Sequence, residues 1–315
     1  MKKLLTYLLV VLLSVIGIDL LNRAVYSYAF NHLPSNAKIA DEYKFVMNHQ
    51  PSDVLVIGAS RAVHHYNPSL IENSLQLSCY NAGFDGTGIV HNYLSFLKAL
   101  KNGSVECVIL DLSPSQLQKE WNTDRLSQIF PYYWSMDSVK ALVDEFLPVR
   151  QRIWLASSLV QYNSNLYDVL RTKITRSEAV KGFLPIPASK QLPASRFNLQ
   201  VSEQEFIPFV QAENVLVRLV NVCREQQIRL VLCQSPTTAY NSSFARYLTA
   251  FAEKEEVEFW DYGKMQSVME HRYFKDASHL NITGANLFTL EIIKRLRIHS
   301  ACPTDCTDDT DADSI

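Results

Sequence analysis

Ser60 and the pair Asp276 and His279, far apart in the 315-residue chain, have types that covalent acyl chemistry uses. Ser60 sits in DVLVIGASRAVHHYN, residues 53–67, where an apolar run stops at Gly-Ala-Ser-Arg. A serine just past a strand and before a helix has its N–H near a helix N-terminus, where developing negative charge is stabilised. Judged alone, such a serine is more often a cap of the turn than a nucleophile. Asp276 and His279 lie in KDASHLNITGAN, residues 275–286. An i, i+3 spacing in a loop or first helical turn brings both side chains to the same side. The aspartate would then orient the imidazole, and the imidazole would act as general base toward a hydroxyl elsewhere. The same letters also read as a helix start, with Asp276 and Asn281 as caps and an incidental exposed histidine.

Such residues need a frame to bring them together, and the chain alternates strand-like and helix-like stretches. Short apolar runs at 53–58, 78–83, 105–113, 228–236 and 257–262 read as five strands. Between and after them, NPSLIENSLQ, GTGIVHNYLSFLKALKNG, FIPFVQAENVLVRLVNVCREQQ, SSFARYLTAFAEKEE and NITGANLFTLEIIKRLR have helical spacing. This alternation predicts an α/β three-layer sandwich with a five-stranded parallel sheet, flavodoxin-like in its winding. Ligands of such sheets bind at the carboxyl ends of the strands. Those ends carry Ser60 and Arg61, Asn81, Ser113-Pro114 and Gln234, so Arg61, Asn81 and Gln234 are candidate pocket residues. Residues 114–205 interrupt the alternation and read as a mainly helical, aromatic-rich insertion, with FPYYW (130–134) irregular and suited to excluding water around an acceptor.

At the N-terminus, Lys2 and Lys3 precede an apolar run from Leu4 to Leu21 interrupted only by Asp19. Its length of roughly 27 Å matches the hydrocarbon thickness of a bilayer. Residues 1–22 are read as an uncleaved signal anchor, in preference to a cleaved signal peptide, and the lysines place the chain beyond residue 22 outside the cytoplasm. The expected organisation is this anchor, a stalk over 23–50, one domain over 51–298 and an acidic disordered tail over 299–315. The expected localisation is that of a single-pass cell-membrane protein with an extracytoplasmic, periplasmic or cell-surface, domain. A formal net charge of −2 offers nothing to attract nucleic acid. Of six cysteines, Cys79, Cys107, Cys223 and Cys233 fall in apolar patterns and read as buried free thiols; Cys302 and Cys306 fall in the tail. No His, Cys or carboxylate spacing calls for a metal, and GFDGTG lacks the ending of a phosphate loop. His64 and His65 are expected at the solvent or pocket rim, and His91 and His271 in packing or surface roles.

Gly-x-Ser after the first strand, NAGFDG (81–86) after the second and Asp-x-x-His before the last helix, in that order, resemble the SGNH/GDSL hydrolase family. The resemblance implies Ser60 as nucleophile, Asp276 and His279 as its relay, and the N–H groups of Ser60 and Gly86 as oxyanion donors. It covers residues 53–112 and 228–297. The family's third block, with its oxyanion-binding Asn, should fall near 113–116, where the chain reads SPSQ; Ser115 or Gln116 would have to replace it. With GASR as first block and the N-terminal anchor, the chain is similar to a membrane-anchored branch that includes alginate-type O-acetyltransferases and proteins of lipoteichoic acid D-alanylation. That branch implies acyl transfer or ester hydrolysis on a cell-surface glycan or acylated small molecule, without cofactor, and a membrane-bound O-acyltransferase as partner. A catalytically weak glycan-binding or scaffold protein is the alternative.

Overall fold

The computed structural model describes residues 2–31, 52–162 and 179–300. In chain order the elements of the N-terminal half are α1 (Lys2–Asn31), β1 (Val54–Gly58), α2 (Ser60–His65), α3 (Pro68–Leu75), β2 (Cys79–Asn81), α4 (Ile89–Asn102) and β3 (Cys107–Asp111). The insertion holds α5 (Lys119–Thr123), α6 (Asp137–Phe146), α7 (Val149–Trp154) and α8 (Ser158–Tyr162). Beyond it come β4 (Gln200–Ser202), α9 (Val210–Glu225), β5 (Arg229–Gln234), β6 (Ala239–Asn241), α10 (Ser242–Glu255), β7 (Glu258–Asp261) and α11 (Ile282–Ser300).

The five expected strands form one sheet in the order β2-β1-β3-β5-β7, every neighbouring pair parallel. Numbered along the chain, that is the 2-1-3-4-5 winding of flavodoxin-like folds. Side chains alternate across each strand. Leu55, Ile57, Val108, Leu110, Leu230 and Leu232 therefore face one apolar layer. Val54, Val56, Ile109, Val231, Cys233 and Trp260 face the other. Burial on both faces is why these strands read as unbroken apolar runs. The first layer is closed by residues of α4, α9 and α10, and the second by residues of α2, α3 and α11. Asn67 caps α3 through a bond from the Ser69 N–H, with Pro68 in its first turn, and Gly103 ends α4 as its C-cap.

Three expectations change. Within the described part of the insertion, helices α5 to α8 and 3-10 turns at Pro114–Leu117 and Asp124–Tyr132 occupy residues 114–162, whereas residues 179–205 are mostly irregular, with a 3-10 turn at Ala194–Arg196. That stretch supplies β4, which pairs in parallel with β6 as a small second sheet. Within FPYYW, Tyr132 and Tyr133 are buried in the first apolar layer and only Trp134 is exposed, so the group is core rather than an acceptor-facing rim. The apolar N-terminal helix continues without a break into the first part of the stalk, to Asn31, and Tyr26 on it is buried in the same layer as the insertion rather than standing clear of the domain. The remainder of the stalk, residues 32–50, and the tail from 301 lie outside the described residues. Cys79, Cys107, Cys223 and Cys233 are buried free thiols.

Candidate active site

Ser60 opens α2 two residues beyond the end of β1. The turn between them is possible because residue 58 is glycine. Its φ is +153°, and a Cβ there would stand 2.7 Å from the Ala62 Cβ and 2.8 Å from the Asp111 carbonyl oxygen. That close approach lets α2 start directly over the sheet. Ala59 occupies the N-cap position with no side-chain cap bond, so Ser60 does not serve as the cap. Its hydroxyl points instead to His279, with Ser60 Oγ 2.8 Å from His279 Nε2.

Behind the imidazole, His279 Nδ1 lies 2.9 Å and 3.0 Å from the two Asp276 carboxylate oxygens. A carboxylate only accepts, so Nδ1 carries the proton and Nε2 presents its lone pair to the serine hydroxyl. Asp276 is itself held by the Ser278 and His279 backbone N–H groups, at 2.9 Å and 3.0 Å. Burial raises the Asp276 pKa, but the His279 ring, the Ser278 N–H and Lys275 outweigh it and hold the carboxyl well below its ordinary range. Of the two residues of KDASHLNITGAN that could cap the helix, only one does so. Asn281 is the cap, accepting from the Thr283 and Gly284 N–H groups at the start of α11, and Asp276 is left to the histidine.

A second histidine supports this loop. His65, expected at the rim, is fully buried. Its Nε2 accepts the Leu280 N–H at 3.0 Å, so the ring proton is on Nδ1, which donates to Ser235 Oγ at 3.1 Å. Burial, then the nearby Arg61 and His279, push the His65 pKa well below 6.5 and keep the ring neutral. His64 lies beside the site as foreseen for a rim residue. Its Nδ1 donates to the Leu184 carbonyl at 2.7 Å, its Nε2 is 3.5 Å from Asp85, and its ring stands edge-on to that of His279 at 5.5 Å. Nothing in the spacing of His64 and His65 pointed to these partners, because Ser235, Leu184 and Leu280 reach them only through the tertiary fold. His91 is buried in the packing, and His271 lies close to the Leu192 carbonyl.

Several candidate pocket residues are occupied with holding the frame. The Arg61 guanidinium is buried, donates to the Leu112 and Ser235 carbonyls and pairs with Asp111 at 3.4 Å. It therefore ties the ends of β3 and β5 together rather than facing a ligand. Asn81 is buried, donates to the Ala62 and Tyr66 carbonyls and accepts from the Gly83 N–H, joining β2 to α2. Gln234 is buried at the end of β5 with its Oε1 unbonded.

At the third block, Gln116 turns inward. Its Oε1 accepts from the Ser113 N–H and hydroxyl, and its amide donates to the Asp111 carbonyl. Ser115 is half-buried, with its hydroxyl 3.1 Å from Ser113 Oγ. Gly86 adopts φ +70°, and neither its N–H nor that of Ser60 has an intramolecular acceptor among the described residues. No group of three His, Cys, Asp or Glu residues is placed to hold a metal among the described residues.

A protein-family model matches residues 189–299, less than half of the chain; the span holds Asp276 and His279 and omits Ser60. No curated protein matches the sequence. Among solved structures the chain is similar to a GDSL-like lipase from Bacteroides thetaiotaomicron, at 10% identity and a TM-score of 0.39 over 85% of this chain and 99% of that one. It is similar to a Bacteroides fragilis protein designated an acylhydrolase, at 11% identity and a TM-score of 0.41 over 84% and 96% of the two chains. It is also similar to a Desulfitobacterium hafniense protein designated lipolytic and of the G-D-S-L family, at 11% identity and a TM-score of 0.40 over 76% and 97%. Likenesses this distant carry nothing about the chemistry, which is read from the geometry of the site.

Proposed function

We propose that this protein is a serine-dependent acyl-transfer enzyme, an esterase or O-acyltransferase of the SGNH type, anchored in the cell membrane with its domain on the extracytoplasmic side. The observation that carries the chemistry is the unbroken chain from the Asp276 carboxylate through the His279 ring to Ser60 Oγ. Ser60 Oγ attacks an acyl carbonyl carbon and passes its proton to His279 Nε2, while Asp276 stabilises the imidazolium. The Ser60 and Gly86 N–H groups receive the oxyanion, with Ser115 as a third donor. When the tetrahedral adduct collapses, the bond to the leaving oxygen breaks and His279 returns the proton to that oxygen. A water or a sugar hydroxyl then attacks acyl-Ser60, with His279 again as base. Acyl groups on a cell-surface glycan are the substrate class we assign, with a membrane-bound O-acyltransferase as donor partner.

The inward turn of Gln116 favours a second reading, a catalytically weak scaffold, because losing one oxyanion donor costs about 3–4 kcal/mol in the transition state. One experiment separates the two. The full chain in detergent is treated with a fluorophosphonate, and the modified peptide is identified by mass spectrometry. Modification at Ser60, absent from Ser60→Ala, supports the enzyme; labelling that persists in Ser60→Ala overturns the nucleophile assignment. Comparing glycan acylation in cells carrying wild type and Ser60→Ala then tests the substrate class.

A further inference from the structure

The first half of the insertion is bolted to the apolar helix. Asp19 accepts bonds from the Ser157 hydroxyl at 2.7 Å and the Leu159 N–H at 3.3 Å, and its carbonyl accepts from the Ser158 hydroxyl at 2.7 Å. One turn further along α1, Asn22 donates to Ser158 Oγ at 3.0 Å and Arg23 to the Ala156 carbonyl at 2.9 Å. These bonds fix the height of residues 156–159 along α1, at the end of the Leu4–Leu21 apolar run, where a spanning helix leaves the hydrocarbon.

In that segment and in the helix just before it, the domain exposes side chains that water does not favour. Val149, Ile153, Trp154 and Leu159 are between 49% and 68% exposed, and α7, which carries three of them, has no buried residue. Trp134, 57% exposed, is brought to the same place by its indole N–H, which donates to the Leu155 carbonyl at 2.9 Å. Beyond α1, the other large exposed apolar residues described are Val180, Val201, Ile207, Val210 and Leu290, none of them aromatic. Tryptophan concentrates at membrane–water interfaces because its ring suits the apolar side and its N–H the headgroup side.

We infer that α7 and the adjoining Trp134 and Leu159 form a second membrane contact, dipping into the headgroup–acyl boundary beside the point where α1 emerges. The inference rests on the reading of α1 as a membrane span. The partner is the lipid itself. The patch adjoins that helix through Leu159, whose N–H bonds Asp19, and the hydrogen bonds of Asp19, Asn22 and Arg23 to residues 156–158, just after Trp154, hold the segment to α1. The domain is therefore laid on the bilayer surface. The insertion leaves the sheet at the carboxyl end of β3, the same edge of the sheet from which Ser60 follows β1.

The test uses the full chain reconstituted in phosphatidylcholine–phosphatidylglycerol vesicles, with and without lipids brominated at carbons 6 and 7. Bromolipid should quench tryptophan fluorescence in wild type, and the quenched fraction should fall at least twofold in the Trp134→Phe/Trp154→Phe double variant. Phe keeps an aromatic ring at both exposed positions but loses the Trp134 bond to Leu155. Far-UV circular dichroism and thermal unfolding of the variant are therefore compared with wild type, and Trp154→Phe, which breaks no described hydrogen bond, is measured alone. Alkaline carbonate extraction is measured in parallel. A chain that resists carbonate but whose quenching is unchanged in the double variant, or absent in wild type, overturns the lipid contact and leaves the span standing. A chain released by carbonate overturns the span, and the inference falls with it.

Discussion

Two Ser–His pairs meet at the loop that precedes α11, and they run in opposite directions. In one, His279 Nε2 faces Ser60 Oγ at 2.8 Å; in the other, His65 Nδ1 faces Ser235 Oγ at 3.1 Å. The distances barely differ. What differs is the third partner. Asp276, an acceptor, fixes the His279 proton on Nδ1 and leaves Nε2 to take a proton from Ser60. The Leu280 N–H, a donor, fills Nε2 of His65 and forces its proton onto Nδ1, so that His65 gives a hydrogen bond to Ser235 and cannot activate it. Proximity of serine and histidine is therefore not enough. The group behind the ring sets which way the proton can move.

Substitutions that break the active pair should have the largest effect. Ser60→Ala or His279→Ala is expected to lower kcat for hydrolysis of 4-nitrophenyl acetate by about 10⁴-fold or more, since the members act as a unit. Retention of a tenth of the wild-type rate in either variant would sink the assignment. Asp276→Asn keeps the shape but can offer His279 a donor instead of an acceptor, which makes its ring resemble that of His65. A kcat loss on the order of 10³-fold is expected, with KM little changed.

The structural pair gives smaller and different signatures. His65→Gln removes the acceptor of the Leu280 N–H and loosens the loop that carries His279. Stability should fall by about 1–3 kcal/mol and kcat by roughly tenfold. It should also alter the pH dependence of stability. His65 stays neutral in the fold and is protonated in the unfolded chain below about 6.5, so its contribution is complete above that pH and is lost as the pH falls. The slope from this group alone is about 1.4 kcal/mol per pH unit. Urea unfolding in detergent at pH 8, 6 and 5 should show that slope in wild type and its loss in His65→Gln; identical slopes would refute the buried neutral histidine. Ser235→Ala should be the mildest, within about twofold of wild-type kcat and near 1 kcal/mol in stability. A loss comparable to that of Ser60→Ala would reverse the comparison.

The parallel sheet was legible because strands buried on both faces are continuous apolar runs, and each falls within a few residues of its expected place. The hydrogen bond between Asp276 and His279 was legible because a spacing of three residues is a local constraint, and the close turn before Ser60 because it needs a glycine; each pattern alone also fits a helix start, and the roles came from the family resemblance. The insertion was harder to read. Tyr132 and Tyr133 look like recognition aromatics in sequence, and only the packing of α6 and the insertion against the first layer buries them.

The sequence by itself determined the layers, the order of the strands along the chain and the pairing of Asp276 with His279, since all of these arise from patterns within a few residues. Only the tertiary structure decided the contacts between segments distant in sequence. It set Ser60 against His279 across 219 residues, hid His65 behind the loop and put Arg61 to work as a brace. It also tied Asp19 to Ser157. A hydrogen bond depends on where two groups lie in space, and no periodicity in either segment carries that information.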